Sequence, residues 1–276
     1  MRSGAICRSH SLINSFSLQA ILAFFAGNLQ AAAYYCSLVA RLLYSLGAHV
    51  APNLIPDTPE SRVKWQLRNI FWLCYVFDKD LAMRTGQPGV IANENCDLTL
   101  PIGYLEALHS PLTIMGPEWS PEELPPSCPI YPTDIRLCII EGRAFSEVYS
   151  FQAQRKTDAE LLKDIRVLDD ELERWRVSMP SDLRPPLLFP SNQNSNGNGL
   201  QPAPKHLGSL IMHLAFYLCV TVIHLASNRC RERSNNLCGI MQAGISSSLA
   251  LSVEASRSTL RCLQASERVF MQTSFG

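Results

Sequence analysis

Between Thr58 and Gly86 the chain carries a helix that is apolar nearly all round and has its own start and stop signals. Thr58-Pro59-Glu60 supplies a hydroxyl N-cap, proline at the first helical position and an acid in the first turn. Gly86, followed by Pro88, ends it. Trp65, Ile70, Phe71, Trp72, Leu73, Tyr75, Val76 and Phe77 leave little polar face, so the helix is predicted to be buried on most sides. Asp80 and Arg84 can pair at i,i+4. Arg68 and Asp78 are the unusual charges, because charges in an apolar helix are usually paired or at its ends. We read them as structural, an ion pair that locks this helix to its neighbours, in preference to a partner or ligand contact. After the turn Gly86-Gln87-Pro88-Gly89 comes an acidic, extended segment closing on Asp97-Leu98-Thr99-Leu100-Pro101.

A chain of 276 residues with 47% apolar and 17% charged residues can bury a sizeable core and is not wholly disordered. Its formal net charge is zero. DNA-binding modules carry a basic surplus clustered on one face, so direct DNA contact by this chain is not expected. The ten cysteines include no C-x-x-C pair, and Cys7 with His10 is a half-site without an obvious partner. Cys36, Cys74, Cys138 and Cys219 fall in apolar helical patterns, where free thiols act as small buried hydrophobes. No metal site and no catalytic residue is assigned. There is no G-x-S-x-G, H-E-x-x-H, G-x-x-x-x-G-K-[ST] or G-x-G-x-x-G, and no strand–helix alternation.

The uncharged stretch Ser11–Ala40, preceded by Arg2 and Arg8, has the outline of a signal peptide. Its apolar run is short, however, and Gln19, Asn28 and Gln30 interrupt it. Two helices fit better, Ser17–Gly27 and then Gln30–Leu46, the second stopped by Gly47. Residues 102–131 are rich in proline and predict a connecting loop. A helix follows from about Asp134 to Gln154. Thr157 and Glu160 then form a capping box before a seam of Leu161, Ile165, Leu168, Leu172 and Trp175, which predicts an intramolecular core face. Residues 191–205, SNQNSNGNGLQPAPK, predict disorder. Leu207–Ala226 is an apolar helix with a polar stripe of His206, His213, Tyr217, Thr221 and His224. The stripe is read as polar groups satisfied in a helical core, with an effector-facing surface at His213, Tyr217 and His224 as the sharper alternative. A last helix is expected at about Ile245–Phe270.

Residues 65–101 resemble the signature of the middle homology region of fungal-specific transcription factors. That pattern runs R-R-x-x-F-W-x-x-Y-x-x-D-R, then G-R-P, then D-x-D-x-x-L-P. Arg68, Phe71, Trp72, Tyr75, Asp78, Lys79, Gly86, Pro88, Asp97, Leu100 and Pro101 fall on it. Gln87 replaces the usual Arg, and Cys96 stands where a small aliphatic residue is common. Leu18-Gln19-Ala20, the run Arg41–His49, and Leu172…Trp175…Pro180…Leu183 are similar to further stretches of the family, as more loosely is Leu210–His224.

The resemblance implies an all-α fold, a multi-helix bundle or array of antiparallel helices with a long disordered loop. Its expected parts are a tail at 1–17, a signature half at 18–185, the loop at 186–205, and a C-terminal helical part at 206–276. It implies a nuclear regulatory domain, inhibitory, effector-sensing or dimerising, in a factor controlling RNA polymerase II transcription. Arg68, Trp72, Asp78, Gly86, Pro88, Asp97 and Pro101 would be its structural and regulatory signature. It implies no cofactor here. Zinc and DNA would be bound by a cluster outside the chain, which would be truncated at both ends. Partners would be the transcriptional machinery or a co-regulator, a second copy and a small-molecule effector, with no membrane. Two other classes compete: a polytopic membrane protein using 18–46 and 207–226, and a helical enzyme with its site near His213 and His224.

Overall fold

The computed structural model describes residues 2–52, 58–108, 133–181, 183–186 and 207–233. All regular structure among them is helical, as expected. The chain divides into two compact units at residues 104 and 105. The helix expected at 245–270, the Pro-rich stretch beyond Leu108 and the loop at 187–205 lie outside the described residues.

The first unit holds α1 (Arg2–Phe25), α2 (Leu29–Ser45) and α3 (Pro59–Thr85). The expected tail at 1–17 is instead the first part of α1, which runs into the helix predicted from Ser17. A tight turn through Gly27, in the left-handed region at φ 76°, reverses the chain. Asn28 then caps α2 by accepting from the Ala31 amide at 3.1 Å. The two helices pack face to face, and Phe16 stacks on Tyr35 with centroids 6.2 Å apart. α2 presents Cys36, Val39, Ala40 and Leu43, all buried, and packs on α3.

Helix α3 begins at the Thr58 capping box, with Ser61 as its reciprocal partner, and ends at Gly86 with φ 68°. Fifteen of its residues are buried, including Arg68, Asp78, Lys79 and Asp80. Such burial requires that each charge find a partner. Phe24 of α1 meets Phe77 edge-on at 5.1 Å.

The second unit contains the described part of α4 (Tyr104–Leu108) from Leu105 on, α5 (Ile135–Ala144), α6 (Asp158–Ser178), α7 (Leu207–Leu225) and α8 (Asn228–Arg233). The helix expected to reach Gln154 turns into a π-helical segment at Phe145–Tyr149 and a short 3-10 turn at Ala153–Arg155. The Tyr149 hydroxyl donates to the Val222 carbonyl, and Arg229 donates to Val148 at 2.5 Å. These contacts with α7 and α8 accompany the wider turn.

α6 starts at the Thr157–Glu160 capping box. Leu161, Ile165, Leu168, Leu172 and Trp175 are all buried, so the seam is a core face, each large side chain contributing about 1.5–3 kcal/mol by leaving water. Trp175 stacks on Phe216 of α7 at 5.7 Å, and its indole N–H donates to Asp134 at 2.8 Å. Asp134 also caps α5 and pairs with Arg136 at 2.7 Å. Ser209–Cys230 is long and apolar enough to cross a membrane, with mean hydropathy 1.9, yet 61% of that window is buried within the protein. α7 packs on α5 and α6.

Candidate functional site

The signature residues converge on one device in the first unit. Residues 89–100 run as a strap along α3, and the two unusual charges hold it at either end. Asp78, 4% exposed, accepts from the Val90 amide at 2.7 Å and the Ile91 amide at 3.0 Å. Lys79 lies 3.2 Å from Asp78, donates to the Ile91 carbonyl, and sits 4.9 Å over the Tyr75 ring. Arg68, 2% exposed, reaches the other end of the strap. It donates to the carbonyls of Asp97 and Thr99, and to that of Ala48 just after α2. Its guanidinium lies 4.8 Å from the Phe71 ring and 4.7 Å from the Trp72 ring.

The expected ion pair is therefore corrected in kind. Arg68 and Asp78 are ten residues apart, about 15 Å along a helix, too far to meet. Their partners are backbone atoms of the strap, with Lys79 as the only cation bonded to Asp78 among the interactions described. The neighbours to which they lock the helix are its own C-terminal continuation and, through Arg68, the Ala48 carbonyl just after α2.

Asp97 ties the strap to the end of α2. Its amide donates to the His49 carbonyl at 3.0 Å, and its carboxylate accepts from the Ala51 amide at 3.3 Å and the Thr99 amide at 2.9 Å. Hydrogen bonds from Thr99 hold its carboxyl below the usual carboxylate range, with smaller help from Ala51 and the charge of Arg68. Trp72 is fully buried, and Pro101 is buried at the strap's end. Gly86 makes the left-handed cap, while Pro88 and Gln87, the position that departs from the family pattern, are exposed. Burial raises Asp80 above its ordinary value, opposed by Arg84 at 2.7 Å.

Several participants carried no clear signal. Gly89 was legible only as part of a turn, yet a Cβ there would lie 2.5 Å from Asp78 Oδ2 and 3.3 Å from Lys79 Nζ. Asn93 accepts from the Tyr75 hydroxyl at 2.7 Å, and nothing around it in sequence marks it. The amides of Val90 and Ile91 act through the main chain, which sequence does not display.

In the second unit, His213, Tyr217 and His224 are all buried and seated against protein groups. His213 Nε2 lies 3.1 Å from the Leu183 carbonyl, and burial lowers its pKa. The Tyr217 hydroxyl donates to the Pro186 carbonyl at 3.4 Å. His224 Nε2 lies 2.8 Å from Asp169 Oδ1 of α6. His213 and Tyr217 thus meet the stretch 183–186, whereas His224 meets α6. Thr221 turns back to the Tyr217 carbonyl at 2.8 Å, and His206 is outside the described residues. No group of three or more His, Cys, Asp or Glu side chains able to hold a metal occurs among the described residues.

Residues 7–177 match the family described as the fungal specific transcription factor domain. The chain belongs to this family. Two relatives are named ABC-transporter-regulating transcription factors, from Aspergillus oryzae and Aspergillus fumigatus. Each is 28% identical over 232 residues, covering 80% of this chain and 23% of the relative. An uncharacterized transcriptional regulatory protein of Schizosaccharomyces pombe is 25% identical over 154 residues, 52% of this chain and 24% of that protein. The chain thus spans about a quarter of the length of these curated relatives. No solved structure matches it. The matched region contains the whole of α3 and its strap, so the buried charge device belongs to the fungal transcription factor domain itself.

Proposed function

We propose that this fungal transcription factor domain is a regulatory segment, inhibitory, effector-sensing or dimer-organising, of a nuclear factor controlling RNA polymerase II transcription. DNA recognition lies in a zinc cluster outside this segment. The segment acts on a co-regulator or the transcriptional machinery and carries out no chemistry of its own. The family match over residues 7–177 is the observation that supports this reading. Zero net charge and the lack of any C-x-x-C pair argue in the same direction, since phosphate contact needs clustered cations and a compact zinc site needs paired thiolates. The relatives' printed names make ABC-transporter genes the first reporters to try.

A mobility-shift titration of the purified chain at physiological salt is expected to show no sequence-specific complex. A nanomolar shift that survives competitor DNA overturns the assignment of DNA recognition. Replacing the segment by a neutral linker in the full-length factor is expected to change basal or induced reporter output. Unchanged output under both conditions overturns the regulatory role.

A further inference from the structure

The last turn of α6 carries a serine among arginines. Ser178 is exposed and ends the helix. Its hydroxyl donates to the Trp175 carbonyl at 2.7 Å and accepts from Arg136 Nη1 of α5 at 3.1 Å. Arg184 donates through Nε and Nη2 to the carbonyls of Val177 and Met179, the residues on either side of Ser178. Those bonds leave Arg184 Nη1 to a further acceptor. Arg174 stands one turn back on the same helix face, with 75% of its side chain exposed. The acids nearby are already engaged: Asp134 by Arg136 and Trp175, Glu173 by Arg176, and Glu171 by Arg143. A serine that merely ended a helix would need only the Trp175 carbonyl. Three guanidiniums around one exposed hydroxyl suit a bound anion better.

We propose that Ser178 is a phosphorylation site for a basic-directed protein kinase, and that Arg136, Arg174 and Arg184 clamp the phosphate. Arg174 and Arg176, four and two residues before Ser178, supply the cations that an acidic kinase groove selects. Arg176 and Met179 are buried, so the kinase meets the last turn when it opens locally, as helix ends do. The Ser178 Oγ attacks the γ-phosphorus of a nucleoside triphosphate. The Oγ–P bond forms, the bridging P–O bond to the β-phosphate breaks, and the nucleoside diphosphate leaves. The hydroxyl proton passes to the kinase's carboxylate base. The product carries about two negative charges and strong acceptor oxygens. When the turn closes again, Arg136 and Arg184 Nη1 reach the phosphate directly and Arg174 swings across from one turn back. The hydroxyl's bond to Trp175 is lost, and the negative end of the α6 dipole opposes the phosphate. Charge-assisted bonds from three guanidiniums offset both.

The clamp holds the stretch after α6, whose Leu183 and Pro186 carbonyls meet His213 and Tyr217 of α7. Any effect on transcription rests on the regulatory reading above, whereas the modification and the clamp do not.

The test incubates the full chain with the catalytic subunit of cAMP-dependent protein kinase and magnesium ATP, digests it, and maps peptides by mass spectrometry. The expected product is the peptide spanning Ser178, one phosphate heavier, with fragmentation placing the group on Ser178 rather than on Ser181. Recovery of that peptide unmodified overturns the proposal. The full chain with genetically encoded phosphoserine in place of Ser178 then tests the clamp. Its melting temperature at low salt should lie several degrees above the parent's, and high salt should erase much of the rise. An unchanged or lower melting temperature overturns the clamp. Arg174→Gln and Arg184→Gln, each compared with and without the phosphate, should shrink the rise. An undiminished rise in both variants overturns the assignment of those arginines.

Discussion

Gly89 stands so close to Asp78 that a Cβ at residue 89 would lie 2.5 Å from the Asp78 carboxylate oxygen. The backbone comes this near because the next two amides, those of Val90 and Ile91, bind the same carboxylate. Gly86 is glycine for another reason, its positive φ with open space around it. The two residues separate steric from conformational need. Gly89→Ala should cost about 1–3 kcal/mol by forcing the strap away from Asp78. Gly86→Ala should cost about 1 kcal/mol, from backbone strain alone. Urea denaturation of both variants checks the order.

Asp78→Ala should be the more damaging change. It strands the buried Ile91 amide, the part-buried Val90 amide and Lys79, and breaking a buried charge arrangement costs about 3–5 kcal/mol. Asp78→Asn should lose less, since one amide oxygen still accepts. Equal stability of the alanine variant and the parent in thermal melts would refute the strap mechanism.

Arg68→Lys tests the other end. A lysine keeps the charge but not the fork that spans the carbonyls of Ala48, Asp97 and Thr99, nor the flat stacking on Phe71 and Trp72. A loss of about 1.5–3 kcal/mol is expected, one hydrogen bond to a charged group. Tryptophan fluorescence should shift as well, because Trp72 packs under the guanidinium.

His213 should make stability fall on mild acidification. Burial lowers its pKa in the folded state, so the unfolded chain binds the proton more readily. Stability is full above the unfolded value of about 6.5 and is lost as pH drops from there toward the folded pKa. His213→Gln should flatten that slope below about pH 6.5. Asp97, held low by Thr99, contributes its own loss only in the carboxylate range, so the two windows are distinct.

Caps and periodicity made much of the helical fold legible. Thr58 and Gly86 bounded α3, Thr157 and Glu160 opened α6, and the leucine seam was buried as its spacing required. No capping residue marks the start of α1 near Arg2, so the sequence predicts only its part from Ser17 on. The π-helical segment at 145–149 could not be foreseen either. Its residues would suit an ordinary helix, and the reasons to widen are contacts with Val222 and Arg229, more than seventy residues away. The burial of Arg68 and Asp78 followed from their apolar surroundings. Their partners did not, because main-chain amides and carbonyls look the same in every sequence. Asp169, which meets His224, stands in the acidic run Asp169-Asp170-Glu171, a pattern that suits a solvated helix face; it is half-buried.

Because Asp78 and Arg68 grip atoms that nearly every residue possesses, the strap's own letters are left largely unread. Positions 90 and 91 exclude proline, which has no amide hydrogen to offer. Position 89 has no room for a side chain unless Asp78 or the strap shifts. Val90 points to solvent, whereas Cys96 and Asp97 reach Tyr44 and Ala51 by their side chains and are the letters that do matter. A route held in this way can change its wording over generations without changing its course.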